Sequence, residues 1–435
     1  MQRTIDKVAV IGAGTMGAGI AGICAMAGNS VVLLDIDTER SQKAVERLLG
    51  GRNPAITEEA AGRIQCGAID GDLEMVADCD WVCEAVIEDL DTKRDLFTRL
   101  ESVRKSGSIL TTNTSGIPLR DIYTDMPGAV ASDIAVTHFF NPPHIMRLME
   151  LVPGTQTDPG VIAAIGDYCG KSLGKGVVNA KDTVNFIGNR IGCFWMLSGL
   201  HKARAAVLDG ASMEEIDAVM GEPMGLPPTG LYGLIDLIGL DVMDFVGKNL
   251  KINLPVNDPG LEFVAFPETE QAMMDSGQLG RKTGGGFYKL TRHDDGSKTM
   301  EVYDIKDSNW RLAQGVELDA AHSDFTQLMF TDSALGRFAW DLMSGVFSYT
   351  ANLVPEISDD IVNIDRAMRW GFNWAQGPFE MIDAIGAQQF ADKLSVEGRE
   401  VPAMVAKLLE SGSGAFYQNG QYFGTDGGYH AMPAE

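Results

Sequence analysis

The chain contains 435 residues, carries a formal net charge of −25 and is 45% hydrophobic. This length predicts more than one domain, and the apolar content is sufficient for large buried cores. The acidic balance argues against nucleic acid or an anionic membrane surface as a partner, and no apolar run is long enough to span a bilayer, so no membrane insertion is expected.

The six cysteines lie in the N-terminal half of the chain, and none forms a Cys-x-x-Cys pair. Several of them stand in apolar runs, which is typical of buried, reduced thiols. The first predicted strand begins within a few residues of Met1, which leaves no room for a signal or transit peptide. We therefore expect a cytoplasmic protein.

The first predicted strand covers residues 8–11 and leads into a glycine-rich turn, a helix and a second strand that ends at Asp35. This order is typical of a dinucleotide-binding unit. The helix N-terminus offers N–H groups to a pyrophosphate, while Asp35 accepts hydrogen bonds from a ribose and repels a 2′-phosphate. The sequence therefore predicts NAD as the cofactor. The turn residues expected to contact it are Gly12, Gly14, Thr15, Met16 and Gly17.

Strand and helix signals alternate as far as residue 183. A helix is predicted over residues 39–49, and further strands are predicted over residues 80–86, 109–112, 134–140 and 148–152. Alternating elements imply a mostly parallel sheet with helices on both faces. We therefore expect an α/β domain of the Rossmann type over residues 1–183.

Apolar residues recur at helical spacing from about residue 184, which predicts a first helical region over residues 184–290. Residues 291–325 are polar and predict a linker with a hairpin. A second helical region is predicted over residues 326–435, including a polar tail. Two blocks of the first region, residues 216–220 and 230–239, match residues 364–368 and 377–386 of the second. This match predicts two duplicated all-α domains.

His138 and Glu150 stand inside predicted apolar strands. A buried carboxylate is costly without a partner, and the turn at residues 141–143 lets neighbouring strands place the two side chains together. The carboxylate then orients the imidazole and stabilises its protonated form. Such a pair suits a general base that removes a hydroxyl proton while NAD accepts a hydride from the same carbon. An isolated histidine would more often be a core residue, but the NAD fingerprint favours the functional interpretation.

Five other polar residues have both a functional and a structural interpretation. Asn113 and Ser115 follow a strand at the sheet edge where ligands bind, or they form an ordinary turn. Asn189 is placed to cap a helix. Glu88 and Lys93 follow another strand, and Lys93 either pairs with a phosphate or covers a helix face. The sequence shows no Ser/His/Asp hydrolase arrangement and no histidine and cysteine set with metal-ligand spacing.

Together these motifs resemble the L-3-hydroxyacyl-CoA dehydrogenase family of fatty-acid β-oxidation over nearly the whole chain. The motifs that carry the resemblance are the glycine turn, residues 84–90, residues 113–115, residues 138–142, Glu150, residues 181–183 with Asn189 and Arg190, and residues 280–288. The resemblance implies an NAD-dependent oxidation of an L-3-hydroxyacyl-CoA to the 3-ketoacyl-CoA.

The resemblance also implies roles for single residues. His138 would be the base, Glu150 its partner, Ser115 a hydrogen-bond donor to the substrate oxygen and Asn189 a group that polarises that oxygen. The residues that would line the cofactor or coenzyme A sites are Glu88, Lys93, Asn113, Asn141 and Lys282.

The sequence departs from the family pattern in three ways. The usual Gly-Pro-Phe-Glu is replaced by Gly-Leu-Tyr-Gly at residues 230–233, although residues 377–380 keep it. The helical arm after Asp35 is short, so no coenzyme A contacts are transferred to it. The duplication resembles multifunctional bacterial members, which carry an enoyl-CoA hydratase domain that this chain has no room for.

Partners and alternatives follow from these departures. We expect an acyl-CoA substrate, with an enoyl-CoA hydratase domain or a thiolase as further partners. Two helical copies in one chain would form an internal pseudo-dimer, which favours a monomer and leaves a homodimer open. The alternative functions are a related NAD-dependent dehydrogenase of a hydroxy acid without coenzyme A and a non-catalytic NAD-binding scaffold.

Overall fold

The structure is a computed structural model that describes residues 3–434. The chain forms two compact units. The first contains the described residues as far as Ile187, together with Glu356–Asp359 and the end of the chain from Pro433. The second contains Gly188–Pro355 and Asp360–Met432.

The first unit is built on a sheet of eight strands in the order β3-β2-β1-β4-β5-β6-β7-β8. All neighbouring strands are parallel except β6 and β7, which are antiparallel. The strands are β1 (Lys7–Ile11), β2 (Ser30–Asp35), β3 (Ile64–Ala68), β4 (Trp81–Glu84), β5 (Ile109–Thr112), β6 (Ile134–Phe139), β7 (Leu148–Pro153) and β8 (Gly176–Asn179).

Helices cover this sheet, and its central strands are apolar and buried because both faces are covered, as in β1, where Val8 and Ile11 are fully buried. The helices of the first unit are α1 (Thr15–Met26), α2 (Thr38–Leu49), α3 (Glu58–Ala61), α4 (Ile69–Asp72), α5 (Leu90–Val103), α6 (Leu119–Tyr123), α7 (Gly128–Asp133) and α8 (Pro159–Lys171), with a 3-10 turn at Leu73–Val76. The Rossmann-type prediction for this part of the chain is confirmed.

The second unit begins with helices and is interrupted by a small sheet. Its first elements are α9 (Gly188–Leu208), α10 (Met213–Val219), α11 (Tyr232–Ile238), α12 (Leu240–Asn253) and α13 (Glu268–Asp275), with 3-10 turns at Glu222–Met224, Pro259–Phe263 and Arg281–Thr283. An antiparallel sheet follows, in the order β11-β10-β9, with β9 (Tyr288–Arg292), β10 (Lys298–Asp304) and β11 (Asn309–Leu312).

Helices then return, and the chain ends in a second small sheet. These elements are α14 (Ala320–Ser323), α15 (Phe325–Phe330), α16 (Ala334–Asn352), α17 (Ile361–Gly371), α18 (Pro378–Ile385), α19 (Ala387–Val396) and α20 (Ala403–Glu410), followed by β12 (Tyr417–Gln418), β13 (Gln421–Phe423) and β14 (Tyr429–Ala431). Within residues 3–434 no helix has both the length and the apolar composition that crossing a bilayer requires.

Two stretches of the second unit contain more β-structure than the sequence predicts. Residues 291–325 contain most of the hairpin β9–β10, in agreement with the predicted hairpin, and also the third strand β11, and the Val302 side chain is fully buried. The predicted polar tail forms β12–β14, in which Phe423 is fully buried. The helical regions are therefore not purely α-helical. The Phe423 ring contacts those of Phe416 and Tyr429, and helical periodicity does not report such contacts.

The two helical regions contain aspartates with matching hydrogen bonds. Asp217 and Asp365 each accept two consecutive backbone N–H groups at the start of a helix. The donors are Tyr232 and Gly233 in the first region, at 2.7 and 3.0 Å, and Phe379 and Glu380 in the second, at 2.9 and 3.1 Å.

A second pair of aspartates repeats this arrangement where a strand begins after the helices. Asp236 and Asp383 each accept two consecutive N–H groups. The donors are Phe287 and Tyr288 in the first region, both at 2.7 Å, and Phe416 and Tyr417 in the second, at 2.6 and 2.8 Å. The sequence match at residues 216–239 and 364–386 therefore corresponds to a match in backbone structure.

Candidate active site

The glycine turn after β1 leaves its backbone open. Gly12 has a φ of +106°, and its N–H donates to the Leu34 carbonyl at 2.7 Å. A Cβ at Gly17 would lie 1.8 Å from the Gly12 carbonyl oxygen, so only glycine allows α1 to pack this close to the turn. A Cβ at Gly14 would meet no atom within 4 Å, and Gly14 and Thr15 are exposed. The start of α1 is therefore accessible to a pyrophosphate group.

Asp35 ends β2 beside this turn. Its Oδ2 accepts the Ala13 N–H at 2.6 Å, and its Oδ1 accepts the Ile36 N–H at 2.8 Å. The carboxylate is thus held at the carboxyl end of the sheet, where the strand order reverses between β1 and β4. Ligands bind at this position in parallel sheets, so the predicted turn residues and Asp35 fit a dinucleotide.

The predicted His138 and Glu150 pair forms across β6 and β7. The two residues lie directly opposite each other in the antiparallel register, with His138 Nδ1 and Glu150 Oε2 2.7 Å apart. His138 is 5% exposed and Glu150 is fully buried. Glu150 Oε1 also accepts the Ile187 N–H at 3.0 Å. With Nδ1 donating to Glu150, the Nε2 atom of His138 is the ring nitrogen that can accept a proton.

Aromatic side chains surround the imidazole of His138. The ring centroids of Phe140 and Phe186 lie 4.7 and 5.6 Å from that of His138. Phe186 and Asn185 both have a positive φ, 51° and 60°, which is strained for residues other than glycine. Phe186 was not predicted as a site residue, because no pattern in the sequence predicts a positive φ. The Asn-Phe pair next to the family motif at Asn189 was the available signal.

Glu88 holds the loop that carries Ser115. Its Oε1 accepts the Thr114 hydroxyl at 2.6 Å and the backbone N–H groups of Ser115 and Gly116, both at 2.9 Å. Burial alone would raise the pKa of Glu88, but Lys93 and these hydrogen bonds bring it below the usual value. Glu88 is therefore an ionised group that fixes the Ser115 backbone at the carboxyl end of β5.

Lys93 is buried between two carboxylates. It is 1% exposed, and its Nζ donates to Glu84 at 2.7 Å and lies 3.3 Å from Glu88. Burial raises the pKa of Glu84 even though Lys93 and Thr112 bind it. Through these two contacts Lys93 supports Glu88, and its role at the cofactor site stays a prediction. The sequence analysis gave Glu84 no role, although a carboxylate inside the apolar strand β4 was a visible signal.

The remaining predicted residues are distributed over both units. Asn113 Oδ1 accepts the Phe139 N–H at 2.9 Å and joins the ends of β5 and β6, and the exposed Asn141 follows β6. Asn189 is the second residue of α9 in the second unit. Lys282, also in the second unit, forms an exposed ion pair with Asp241 at 2.5 Å. In the part of the chain that the structure describes, no group of three or more potential ligands could hold a metal ion.

A dinucleotide fold with an acid–base pair at the carboxyl end of its sheet defines a class, the NAD-dependent oxidoreductases. The model of the 3-hydroxyacyl-CoA dehydrogenase NAD-binding domain matches residues 7–183, and the model of the C-terminal domain of that family matches residues 186–290. The chain belongs to the 3-hydroxyacyl-CoA dehydrogenase family, and NAD is the cofactor of its first domain.

Individual relatives agree with this assignment. A putative fatty acid oxidation complex trifunctional enzyme of Rickettsia felis is 36% identical over 390 residues, which cover 88% of this chain and 53% of that protein. A probable 3-hydroxyacyl-CoA dehydrogenase of Bacillus subtilis is 33% identical, with coverage of 99% and 58%. The crystal structure of 3-hydroxybutyryl-CoA dehydrogenase from Escherichia coli matches with a TM-score of 0.71 and 25% identity, over 94% of this chain and 99% of that chain. The chain thus spans little more than half the length of the first two relatives.

Proposed function

We propose that this chain catalyses the NAD-dependent oxidation of L-3-hydroxyacyl-CoA to 3-ketoacyl-CoA in fatty-acid β-oxidation. The observation that carries the proposal is the contact of 2.7 Å between His138 and Glu150 at the carboxyl end of the sheet. A buried histidine with an oriented, charged partner is placed to exchange a proton with a substrate hydroxyl next to a dinucleotide.

His138 Nε2 takes the hydroxyl proton, and Glu150 stabilises the imidazolium that forms. NAD, which the glycine turn and Asp35 would hold, would supply the hydride acceptor for the same carbon. Ser115 and Asn189 form hydrogen bonds to the substrate oxygen. These hydrogen bonds strengthen as the carbonyl forms. The rings of Phe140 and Phe186 exclude water from one side of the imidazole, so the proton exchanges with the substrate.

Four further side chains act by holding these groups in place. Glu88, supported by Lys93 and Glu84, sets the backbone of Ser115, and Asn113 ties this loop to the strand that carries His138. The pyrophosphate and ribose are held by the glycine turn and the end of β2, through Gly12, Gly14, Thr15, Met16, Gly17 and Asp35. The nicotinamide or coenzyme A side is lined by Asn141 and Lys282.

The proposal is tested by following NADH absorbance with acetoacetyl-CoA and with a long-chain 3-ketoacyl-CoA, with NADPH as the cofactor control. We expect turnover with NADH. His138→Gln should lower kcat by about 10²–10⁴-fold, the range for loss of acid–base catalysis, with the NADH dissociation constant unchanged. His144→Gln is the matched control, because His144 is exposed in the turn that follows β6. Normal turnover by His138→Gln would contradict the proposal.

We further propose that residues 184–290 and 326–435 are two copies of one module. The support is the matching pair of aspartates in each region. The two regions also pack together: a Cβ at Gly192 of α9 would lie 2.0 Å from the ring of Phe372, and the rings of Trp195 and Trp374 are in contact at 5.8 Å. Such packing covers the surface that a second chain would otherwise cover, so we expect a monomer. Light scattering that gives the mass of a dimer would contradict this expectation.

The relatives named as trifunctional enzymes support companion activities for this chain. An enoyl-CoA hydratase domain would supply the hydroxyacyl-CoA, and a thiolase would consume the ketoacyl-CoA. Co-purification with either activity from the source cells is the expected result, and the absence of both activities from the purified material would contradict the companion proposal.

A further inference from the structure

A buried hydrogen-bond network joins the start of α9 to the second helical region. Arg190, in the first turn of α9, is 2% exposed. Its Nε donates to the hydroxyl of Tyr349 at 2.5 Å, and its Nη2 donates to Asp258 Oδ2 at 2.5 Å. The Tyr349 hydroxyl in turn donates to the Asp258 carboxylate, with both oxygens at 3.2 Å.

The three members of this network come from different parts of the second unit. Arg190 and Asp258 belong to the first helical region, whereas Tyr349 lies on α16 of the second. The Tyr349 ring stacks on Phe194, one turn further along α9, with the centroids 4.0 Å apart and the planes 12° apart. Asp258 is also held by the Gly260 N–H at 2.7 Å. Tyr349 therefore contacts α9 through both its hydroxyl and its ring.

We propose that Tyr349 is a positioning residue for Asn189, so that the second helical region takes part in the reaction. The inference rests on the proposed function, in which Asn189 polarises the substrate oxygen. Asn189 immediately precedes Arg190 in the first turn of α9. Since Arg190 is buried and held by two partners, its guanidinium fixes the position of this turn, and the hydroxyl of Tyr349 completes that attachment. Displacement of a polarising group by 1 Å costs up to about 100-fold in rate.

The test is Tyr349→Phe, which keeps the ring on Phe194 and removes the hydroxyl. We expect kcat for 3-ketoacyl-CoA reduction to fall by about 10-fold or more while the NADH dissociation constant stays the same. Tyr417→Phe is the matched control, because the Tyr417 hydroxyl donates to Asp365 at 2.8 Å within the second helical region. Tyr417→Phe should lower the free energy of unfolding as Tyr349→Phe does, because each variant loses a hydroxyl hydrogen bond, but its kcat should equal that of the wild type. A Tyr349→Phe variant with the kcat of Tyr417→Phe would overturn the inference.

A double-mutant cycle shows whether Tyr349 acts through Asn189. In an Asn189→Ala background, Tyr349→Phe should cause no further loss of kcat, since the group that it positions is gone. An equal loss in both backgrounds would assign Tyr349 a general structural role and overturn the inference.

Hydrogen exchange separates this inference from the proposed function. The amides of residues 191–194 bond back to carbonyls at the start of α9, so Tyr349→Phe should speed their exchange, and Tyr417→Phe should not. This result is expected even if the wild-type chain proved inactive on every acyl-CoA, which would refute the proposed function alone. Unchanged exchange in Tyr349→Phe would refute the positioning role.

Discussion

The two helical regions share a backbone framework and differ in what surrounds it. In each region, two aspartates bind two pairs of consecutive N–H groups, and in the second region the Tyr417 hydroxyl also bonds to the first aspartate, Asp365. Burial raises the pKa of both aspartates of the second pair, Asp236 and Asp383, to about 6. The matching hydrogen bonds indicate that the framework depends on backbone N–H donors, which are present whatever the side chain of the residue.

The surroundings differ most at one position. In the second region Glu380 accepts the Gly377 N–H at 2.7 Å and an Arg369 N–H at 3.2 Å. The first region has Gly233 at the corresponding position, where a Cβ would find its nearest atom, Asp217 Oδ2, at 3.5 Å. A cavity of about 700 Å³ opens there, lined by Gly233, Asp217 and residues of the longer hairpin β9–β10. The comparison shows that side chains on the framework can change while the framework is kept.

The largest expected effect comes from the glycines that touch the first aspartates. A Cβ at Gly377 would lie 2.3 Å from Asp365 Cα, and a Cβ at Gly230 would lie 2.5 Å from Asp217 Cα. Gly377→Ala and Gly230→Ala should therefore each lower the free energy of unfolding by about 3 kcal/mol in urea titrations. Gly345→Ala, within α16 where a Cβ meets no atom within 4 Å, should instead gain about 0.5–1 kcal/mol. A loss of stability in only one of Gly377→Ala and Gly230→Ala would show that the two regions do not share the same framework.

A smaller effect is expected at the second pair of aspartates. Asp236→Asn and Asp383→Asn replace one acceptor oxygen by an NH₂ group that faces a backbone N–H, at a cost of about 1–3 kcal/mol each. Because the folded pKa of about 6 lies above the ordinary aspartate value of 3.8, the native state binds the extra proton, and wild-type stability falls as pH rises from about 4 to about 6. The difference in the free energy of unfolding between wild type and either variant should therefore become smaller as the pH rises over this range. Urea unfolding at several pH values measures it. Opposite slopes for the two variants would contradict the prediction.

The smallest effect is expected from exchanging the side chains that differ. Gly233→Gln should stabilise the chain by about 0.5–1 kcal/mol, because it removes a glycine from α11 without a clash. Gly233→Glu should gain less than Gly233→Gln, since its charge would lie near Asp217. Glu380→Gly should lose about 1 kcal/mol, because the first turn of α18 would lose its cap. Thermal unfolding of the three variants measures this order, and a destabilised Gly233→Gln would show that the space at Gly233 is needed.

Much of the first domain could be predicted because its signals are local. The strands, the glycine turn and Asp35 follow from short patterns, and the His138 and Glu150 contact follows from two strands joined by one turn. The burial of Lys93 could not be predicted in this way. The sequence pattern predicts that a lysine in the first turns of a helix is exposed. The partner of Lys93, Glu84, lies on the preceding strand, and packing of the helix on the sheet removes both side chains from water.

In the second unit, too, local patterns in the sequence predict some features and not others. Its repeated motif was visible in the sequence because the aspartates and glycines recur with their spacing. The hairpin near residues 291–304 was predicted as well, whereas the sheet β12–β14 was not, because the burial of a single residue such as Phe423 leaves no periodic pattern in a polar segment.

The sequence by itself determined the NAD-binding fold, the cofactor, the family and the candidate base with its partner, since each depends on short runs in which backbone geometry leaves few alternatives. The tertiary structure alone decided that Lys93 is buried beneath the Ser115 loop, that Phe186 packs on His138 and that Tyr349 reaches Arg190 across 159 residues. These contacts join residues far apart in the chain, and their free energy comes from burial and pairing that exist only after the elements pack together.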